Sequence, residues 1–227
     1  MVLYNNAMKY STLNEEKKLW EKGFRAVVGI DEVGRGPLAG PVVACAVCAK
    51  PGLAQLFKIK LRDSKQLTPK QREKLCPILT THPAIEWGIG SVSPKLIDKI
   101  NIYQATKLAM KKAVQDLQRK LKKNSIDFLI IDGTMTLEKI QISQKAIVKG
   151  DEKVFSCAAA SIIAKVTRDR IMLRYHKKYP QYGFNKHKGY GTKLHFKMLK
   201  KHGSCPIHRH SFAPVRASSL RFPQIML

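Results

Sequence analysis

The sequence predicts an α/β fold, a mixed sheet with helices on its faces, and three observations carry that expectation. Two apolar runs, Ala26 to Asp31 and Pro41 to Ala49, come early and are joined by a short Gly- and Pro-bearing link, which suits an antiparallel pair. Strand-like runs recur at Ala84 to Val92, Asp127 to Asp132 and Ala146 to Lys149. Stretches of helical spacing lie between and after them, and strands followed by alternating helices and strands place the helices over the sheet. A chain of 227 residues can form one sizeable domain, or a domain with a small appendage, around a real core.

Each element has a local reason. Thr12 to Phe24 begins with a capping-box pattern, Thr12-x-x-Glu15, and ends at Gly23, which predicts a short surface helix. Lys58 to Leu67 is polar and contains Asp63-Ser64-Lys65. Thr68-Pro69-Lys70-Gln71 then offers a cap, a proline at the first helical position and a reciprocal glutamine, for a helix to about Leu79. Ser93-Pro94 opens another helical region, followed by a long basic helix from Asn101 to Lys123. Its apolar stripe runs Ile102, Ala105, Ala109, Ala113, Leu117 and Leu121. Asp151 is expected at the start of a helix through Ala158 to Ala164 and on to about Lys177, its small residues allowing close approach to a sheet. From Pro180 onward the chain reads as loop-rich and basic.

Composition narrows the function classes. A 44% hydrophobic and 26% charged chain is globular rather than disordered. Forty-two Lys and Arg against sixteen Asp and Glu give a formal net charge of +26, and the sequence pI is about 10.1. Self-repulsion on that scale points to a polyanionic partner, nucleic acid before membrane, since no basic amphipathic segment with an aromatic face stands out. No stretch approaches the roughly 18 apolar residues of a membrane span, and Met1 to Tyr10 lacks a hydrophobic signal core. Five scattered cysteines suggest reduced thiols in a cytoplasmic protein. Cys45 and Cys48 form a C-x-x-C in name, but residues three apart on a strand face opposite sides. His202, Cys205, His208 and His210 cluster with loose ligand spacing, and a solvated basic loop is expected there in preference to a zinc site.

With few acids available, their placement is informative. Asp31 and Glu32 end the first strand, Asp132 ends a later buried one, and Asp151 follows another across Gly150. Ligand-binding residues of α/β sheets gather at strand ends, so these four carboxylates can meet. Crowded carboxylates repel one another without a cation, and an all-oxygen set favours Mg²⁺ or Mn²⁺. On a basic protein this suggests two-metal phosphodiester chemistry. Adjacent strand residues point to opposite faces, so the strand is expected to end or bulge at Asp31 and Glu32, helped by Gly34 and Gly36. Taken singly, Asp151 is equally a helix cap, Asp132 a turn residue and the Asp-Glu pair a solvated strand end; together they favour a site.

Gly34-Arg35-Gly36 lets backbone groups approach a ligand, and backbone donors and acceptors can read a ribose 2′-hydroxyl; the alternative is a tight turn with a solvent-facing arginine. Tyr190, between two glycines, could stack on a sugar or base, or simply pack. Lys65 is a candidate phosphate contact. The reading from residues alone leaves three classes open: a metal-dependent endonuclease, a non-catalytic basic nucleic-acid-binding protein, and another metal nuclease or transferase of the same fold.

Gly29-Ile30-Asp31-Glu32-Val33-Gly34-Arg35-Gly36-Pro37-Leu38-Ala39-Gly40-Pro41 resembles the signature of the bacterial ribonuclease HII family. The resemblance continues through Asp63-Ser64-Lys65, Ile131-Asp132-Gly133, Lys149-Gly150-Asp151, Ala159 to Asp169, Gly189-Tyr190-Gly191-Thr192 and His210-Ser211-Phe212-Ala213-Pro214-Val215. It implies a ribonuclease H-like fold, a mixed five-stranded sheet flanked by helices with a small helical C-terminal extension. Asp31, Glu32, Asp132 and Asp151 would be its metal-binding carboxylates. Gly34, Arg35 and Gly36 would read the 2′-hydroxyl, and Tyr190 would pack on the deoxyribose after the ribonucleotide. The implied substrates are RNA–DNA hybrids and duplex DNA with embedded ribonucleotides, cut on the 5′ side of the ribonucleotide, and a monomer is expected. Arg35, where the sister type carries lysine, favours HII over HIII. Two positions depart from the family pattern: Glu152, where a small residue is usual, and Phe155, where proline is common. The implied organisation is a helical lead-in at 1–24, a catalytic domain at 25–178 and a basic substrate-binding region at 179–227.

Overall fold

A computed structural model describes residues 10–51, 61, 63–121 and 125–219. The expectations at Met1 to Lys9, at Lys58 to Lys60 with Arg62, and at Lys122 to Lys123 lie outside the described residues.

Five strands form one sheet: β1 (Val27–Val33), β2 (Val42–Ala49), β3 (Ile85–Val92), β4 (Phe128–Asp132) and β5 (Ser143–Ile147), in the order β3-β2-β1-β4-β5. The short link does make β1 and β2 antiparallel, with Asp31 opposite Cys45, and β3 continues that pattern. β4 and β5 run parallel to β1, so their carboxyl ends share one edge of the sheet. β5 begins earlier than its apolar residues suggest. It is a half-exposed edge strand whose Gln144 side chain bridges the backbone N–H and C=O of Leu137 at 2.7 and 2.9 Å, a role that apolar patterning does not reveal.

One face of the sheet is covered by α3 (Pro94–Lys120), the other by α5 (Phe155–Lys178). α3 is broken at Asn101 (φ 63°), whose side chain accepts from Gln104 N–H at 3.1 Å and caps the second segment, so the two expected helical regions abut. The stripe Ala105, Ala109, Ala113, Leu117 and Leu121 is buried, and α3 lies so close to β3 that a Cβ on Gly90 would come within 1.9 Å of the Ala109 carbonyl. On the α5 face a Cβ on Gly29 would meet Ser156 at 2.4 Å. Each fully buried Leu, Ile or Met in these layers contributes about 1.5–3 kcal/mol. Cys45 and Cys48 do point into opposite cores.

α2 (Pro69–Thr80) carries the complete Thr68–Gln71 capping box. The Thr12–Glu15 box does not form. α1 (Asn14–Glu21) is capped at Leu13, because the Thr12 backbone is committed elsewhere: its N–H donates to the Lys153 carbonyl and its carbonyl accepts from Phe155 N–H at 2.9 Å. A proline at Phe155 would lack that donor. The same pairing corrects the expectation for Asp151. It sits in a separate turn, α4 (Gly150–Lys153), and the chain extends at Val154 to pair with Thr12 before α5 begins.

The C-terminal stretch, loop-rich by composition, is helical as the family resemblance implies, with α6 (Phe184–His187), α7 (Lys193–His202) and α8 (Ala213–Ser219) around a small core of Leu38, Met172, Tyr182, Phe184, Leu199 and Ile207. Among the described residues no helix is long and apolar enough to cross a membrane.

Candidate active site

Asp31 near the end of β1, Asp132 at the end of β4 and Asp151 just beyond β5 bring carboxylate oxygens within 4.8 Å of one another. Each arrives by a different route. Asp31 lies on the α5 face near Ser161, whose hydroxyl meets that of Ser64 at 2.7 Å, and its carboxylate accepts from Glu32 N–H at 2.6 Å. Asp132 accepts from Gly150 N–H at 2.6 Å, a bond that ties the end of β4 to the turn carrying Asp151. Lys149, in the left-handed region at φ 60°, aims that turn.

β1 neither ends nor bulges at Asp31. It runs on to Val33 in register, so Glu32 leaves on the other face, as pleating requires. Glu32 is therefore not in the three-carboxylate set, but stands at its edge, raising Asp31, itself raised by Asp132, and paired with Arg35 at 3.4 Å. Glu152 turns away to Lys149 at 3.3 Å.

The electrostatics are those of crowded acids. Burial, then the neighbouring Glu32 and Asp132, holds Asp31 well above the usual carboxylate range. Burial raises Glu32 too, against the pull of Arg35. Asp151 is pushed up to about 6 by burial, then by Asp132 and Asp63. Lys65, its side chain 80% exposed, reaches Asp151 at 3.4 Å and is the cation on hand. A partly buried all-oxygen set with excess negative charge fits a hard divalent cation.

Beside the acids, the loop from Gly34 to Pro41 is gripped through its carbonyls by two fully buried arginines. Arg168 of α5 donates to Pro41, Lys188 and Ala39 at 2.9, 3.0 and 3.1 Å. Arg209 donates to Gly40, Arg35 and Gly34 at 3.0, 2.8 and 2.5 Å. Among the described residues the N–H groups of Arg35 and Gly36 donate to no protein acceptor. Gly34 (φ +94°) has no room for a side chain, since its Cβ would fall 2.2 Å from Arg168 Nε. Tyr190, 40% exposed, faces the loop, 4.0 Å from where a Cβ on Gly36 would stand.

A family model described as Ribonuclease HII matches residues 28–215, which include all of these positions. The chain belongs to the ribonuclease HII family. The ribonuclease HII of Acetivibrio thermocellus is 54% identical over 197 residues, 87% of this chain and 73% of that one. That of Caldanaerobacter subterraneus is 50% identical over 198 residues, 87% and 78% of the two chains. The solved ribonuclease H2 of Pyrococcus horikoshii has a TM-score of 0.69 at 30% identity, covering 87% of this chain and 99% of that one. The fold is ribonuclease H-like, as the motifs imply.

In this member of the family several residues at the site carry no strong sequence signal. Asp63 is buried and helps to raise Asp151, yet it precedes a helix instead of ending a strand, and its neighbour Lys65 draws the eye first. Ser64, Ser161, Arg168 and Arg209 act through burial that spacing alone does not disclose. The segment around His202 to His210 is not a solvated loop: Cys205, His208 and Arg209 are buried, because Tyr182 and Phe184 from earlier in the chain pack against His208. No zinc-type cluster forms there among the described residues.

Proposed function

We propose that this ribonuclease HII homologue is an endonuclease that hydrolyses the phosphodiester on the 5′ side of ribonucleotides, in RNA–DNA hybrids and in duplex DNA with embedded ribonucleotides. The products would be 3′-hydroxyl and 5′-phosphate ends, and the role the removal of misincorporated ribonucleotides. The observation that carries this reading is the convergence of Asp31, Asp132 and Asp151 beside the Gly34–Gly36 loop.

Asp31, Asp132 and Asp151, with Glu32 at the edge, would hold Mg²⁺ or Mn²⁺. Two such ions would activate water and stabilise the leaving oxygen of the displacement. The protein's part is positioning. Glu32 N–H and Gly150 N–H hold Asp31 and Asp132 in place before any cation arrives. Lys65 balances Asp151 and is placed to meet a phosphate. The N–H groups of Arg35 and Gly36 supply donors for a 2′-hydroxyl, with Arg168 and Arg209 fixing the loop from behind. Tyr190, opposite Gly36, would pack on the sugar that follows. We read the protein as cytoplasmic, in keeping with its five free, buried cysteines, and as a monomer.

The test is a duplex carrying one ribonucleotide, offered with Mg²⁺, with Mn²⁺ and with chelator. Metal-dependent incision 5′ to the ribonucleotide is expected; binding without incision under every metal condition would sink the reading in favour of a binding module.

A further inference from the structure

Three histidines lie beneath Tyr190, all buried, and none has a part in the proposed chemistry. The Tyr190 carbonyl can only accept, so His195 Nδ1, 2.9 Å away, carries a proton. At the far end His208 Nδ1 meets Cys205 three times, the N–H at 2.9 Å, Sγ at 3.1 Å and the carbonyl at 3.3 Å; the shortest is the N–H, which needs an acceptor and leaves that nitrogen bare. His195 and His208 meet through their Nε2 atoms at 3.1 Å. Kept neutral, His208 must then be protonated on Nε2 and His195 bare there, so the shared contact holds one proton. The Tyr190 carbonyl fixes the His195 tautomer, and the one that the shorter Cys205 N–H contact favours at His208 agrees with it. They form a chain with one direction, from Cys205 N–H through His208 and His195 to the Tyr190 carbonyl.

Burial favours the neutral rings this requires, lowering His195 to about 4 and His208 to about 3. His187 stacks on His195 at 4.4 Å and accepts from Gly189 N–H at 3.2 Å, while its own carbonyl takes Tyr190 N–H at 2.9 Å. Gly189 C=O accepts from Leu38 N–H at 2.8 Å. Every backbone polar group of Gly189 and Tyr190 is thus engaged, although the Tyr190 ring is exposed. Such provision for one exposed side chain exceeds what a surface loop requires.

We propose that His195 and His208 are positioning residues for Tyr190, and so set how strictly the enzyme requires a deoxyribose after the ribonucleotide. The inference rests on the reading of Tyr190 as the junction contact. The quantity to measure is kcat/KM on the single-ribonucleotide duplex divided by kcat/KM on a uniform hybrid. His195→Leu should lower this ratio by roughly 10- to 100-fold, the scale of a small misplacement. His195→Asn, whose amide N–H can replace Nδ1–H, should recover most of it. Adding His195→Leu to Tyr190→Ala should lower the ratio no further than Tyr190→Ala alone.

If Tyr190→Ala lowers the ratio but His195→Leu does not, or if the two effects add in full, the positioning role is wrong while the junction contact stands. If Tyr190→Ala leaves the ratio unchanged, both fall together. Should His195→Leu fail to fold, long-range ¹H–¹⁵N spectra of the wild-type protein decide the chain. His195 as the Nδ1–H tautomer and His208 as Nε2–H support it; the opposite tautomer at either ring, or an imidazolium, overturns it.

Discussion

Arg209 Nη2 donates to the Gly34 carbonyl at 2.5 Å from a fully buried guanidinium, joining the C-terminal segment to the loop that follows the first acids of the site. With Nε on Gly40 and Nη1 on Arg35, the planar fork spans three carbonyls. The C-terminal region thereby becomes part of the site's foundation.

Arg209→Lys tests that fork. An ammonium on a flexible stem cannot reach all three acceptors, so at least one buried carbonyl is left without its donor. A loss of about 2–4 kcal/mol is expected, read as a lower urea midpoint at unchanged m-value. A midpoint equal to wild type would show that the fork adds nothing to stability.

The carboxylate cluster has a pH signature in the metal-free protein. Burial and its acidic neighbours raise Asp151 to about 6 from an ordinary value of 3.8, so across that interval the native state binds more protons than the unfolded one. Stability is therefore greatest below the lower value and falls as pH rises through the upper. A divalent cation binding only the native state should reverse the loss at neutral pH. Thermal unfolding with chelator and with Mn²⁺ checks both signs, and a Tm indifferent to cation at neutral pH would count against the metal assignment.

Lys65 touches Asp151 but is mostly exposed, which suits a phosphate contact more than a structural pair. Lys65→Met should weaken duplex binding and reduce the slope of log affinity against log salt by about one. An unchanged slope would return Lys65 to a charge-balancing role alone.

Much of the sheet was legible because β1, β2 and β4 are buried apolar runs. Where polar atoms decide, legibility failed. β5 is an edge strand whose Gln144 and Lys145 mask its periodicity. Thr12 and Glu15 satisfy a capping pattern on paper, but a strand-like pairing with Val154 takes the Thr12 backbone. Asp31, Asp132 and Asp151 were visible as acids at strand ends. Asp63 was not, since it joins them from a loop. Arg168, Arg209 and His208 look like solvent-facing residues in sequence, and only the aromatic core around Tyr182 and Phe184, with the carbonyl-rich loop, makes their burial affordable.

The central claim is that Asp31, Asp132 and Asp151 hold the cations on which cleavage depends, and Asp132→Asn addresses it most directly. The amide oxygen can still accept from Gly150 N–H, so the fold is spared while a charge is removed. The measurement pairs Mn²⁺ binding, followed by electron paramagnetic resonance, with incision of the single-ribonucleotide duplex. The account predicts weakened Mn²⁺ binding and loss of cleavage with duplex affinity largely retained; a variant that cleaves at the wild-type rate would contradict it.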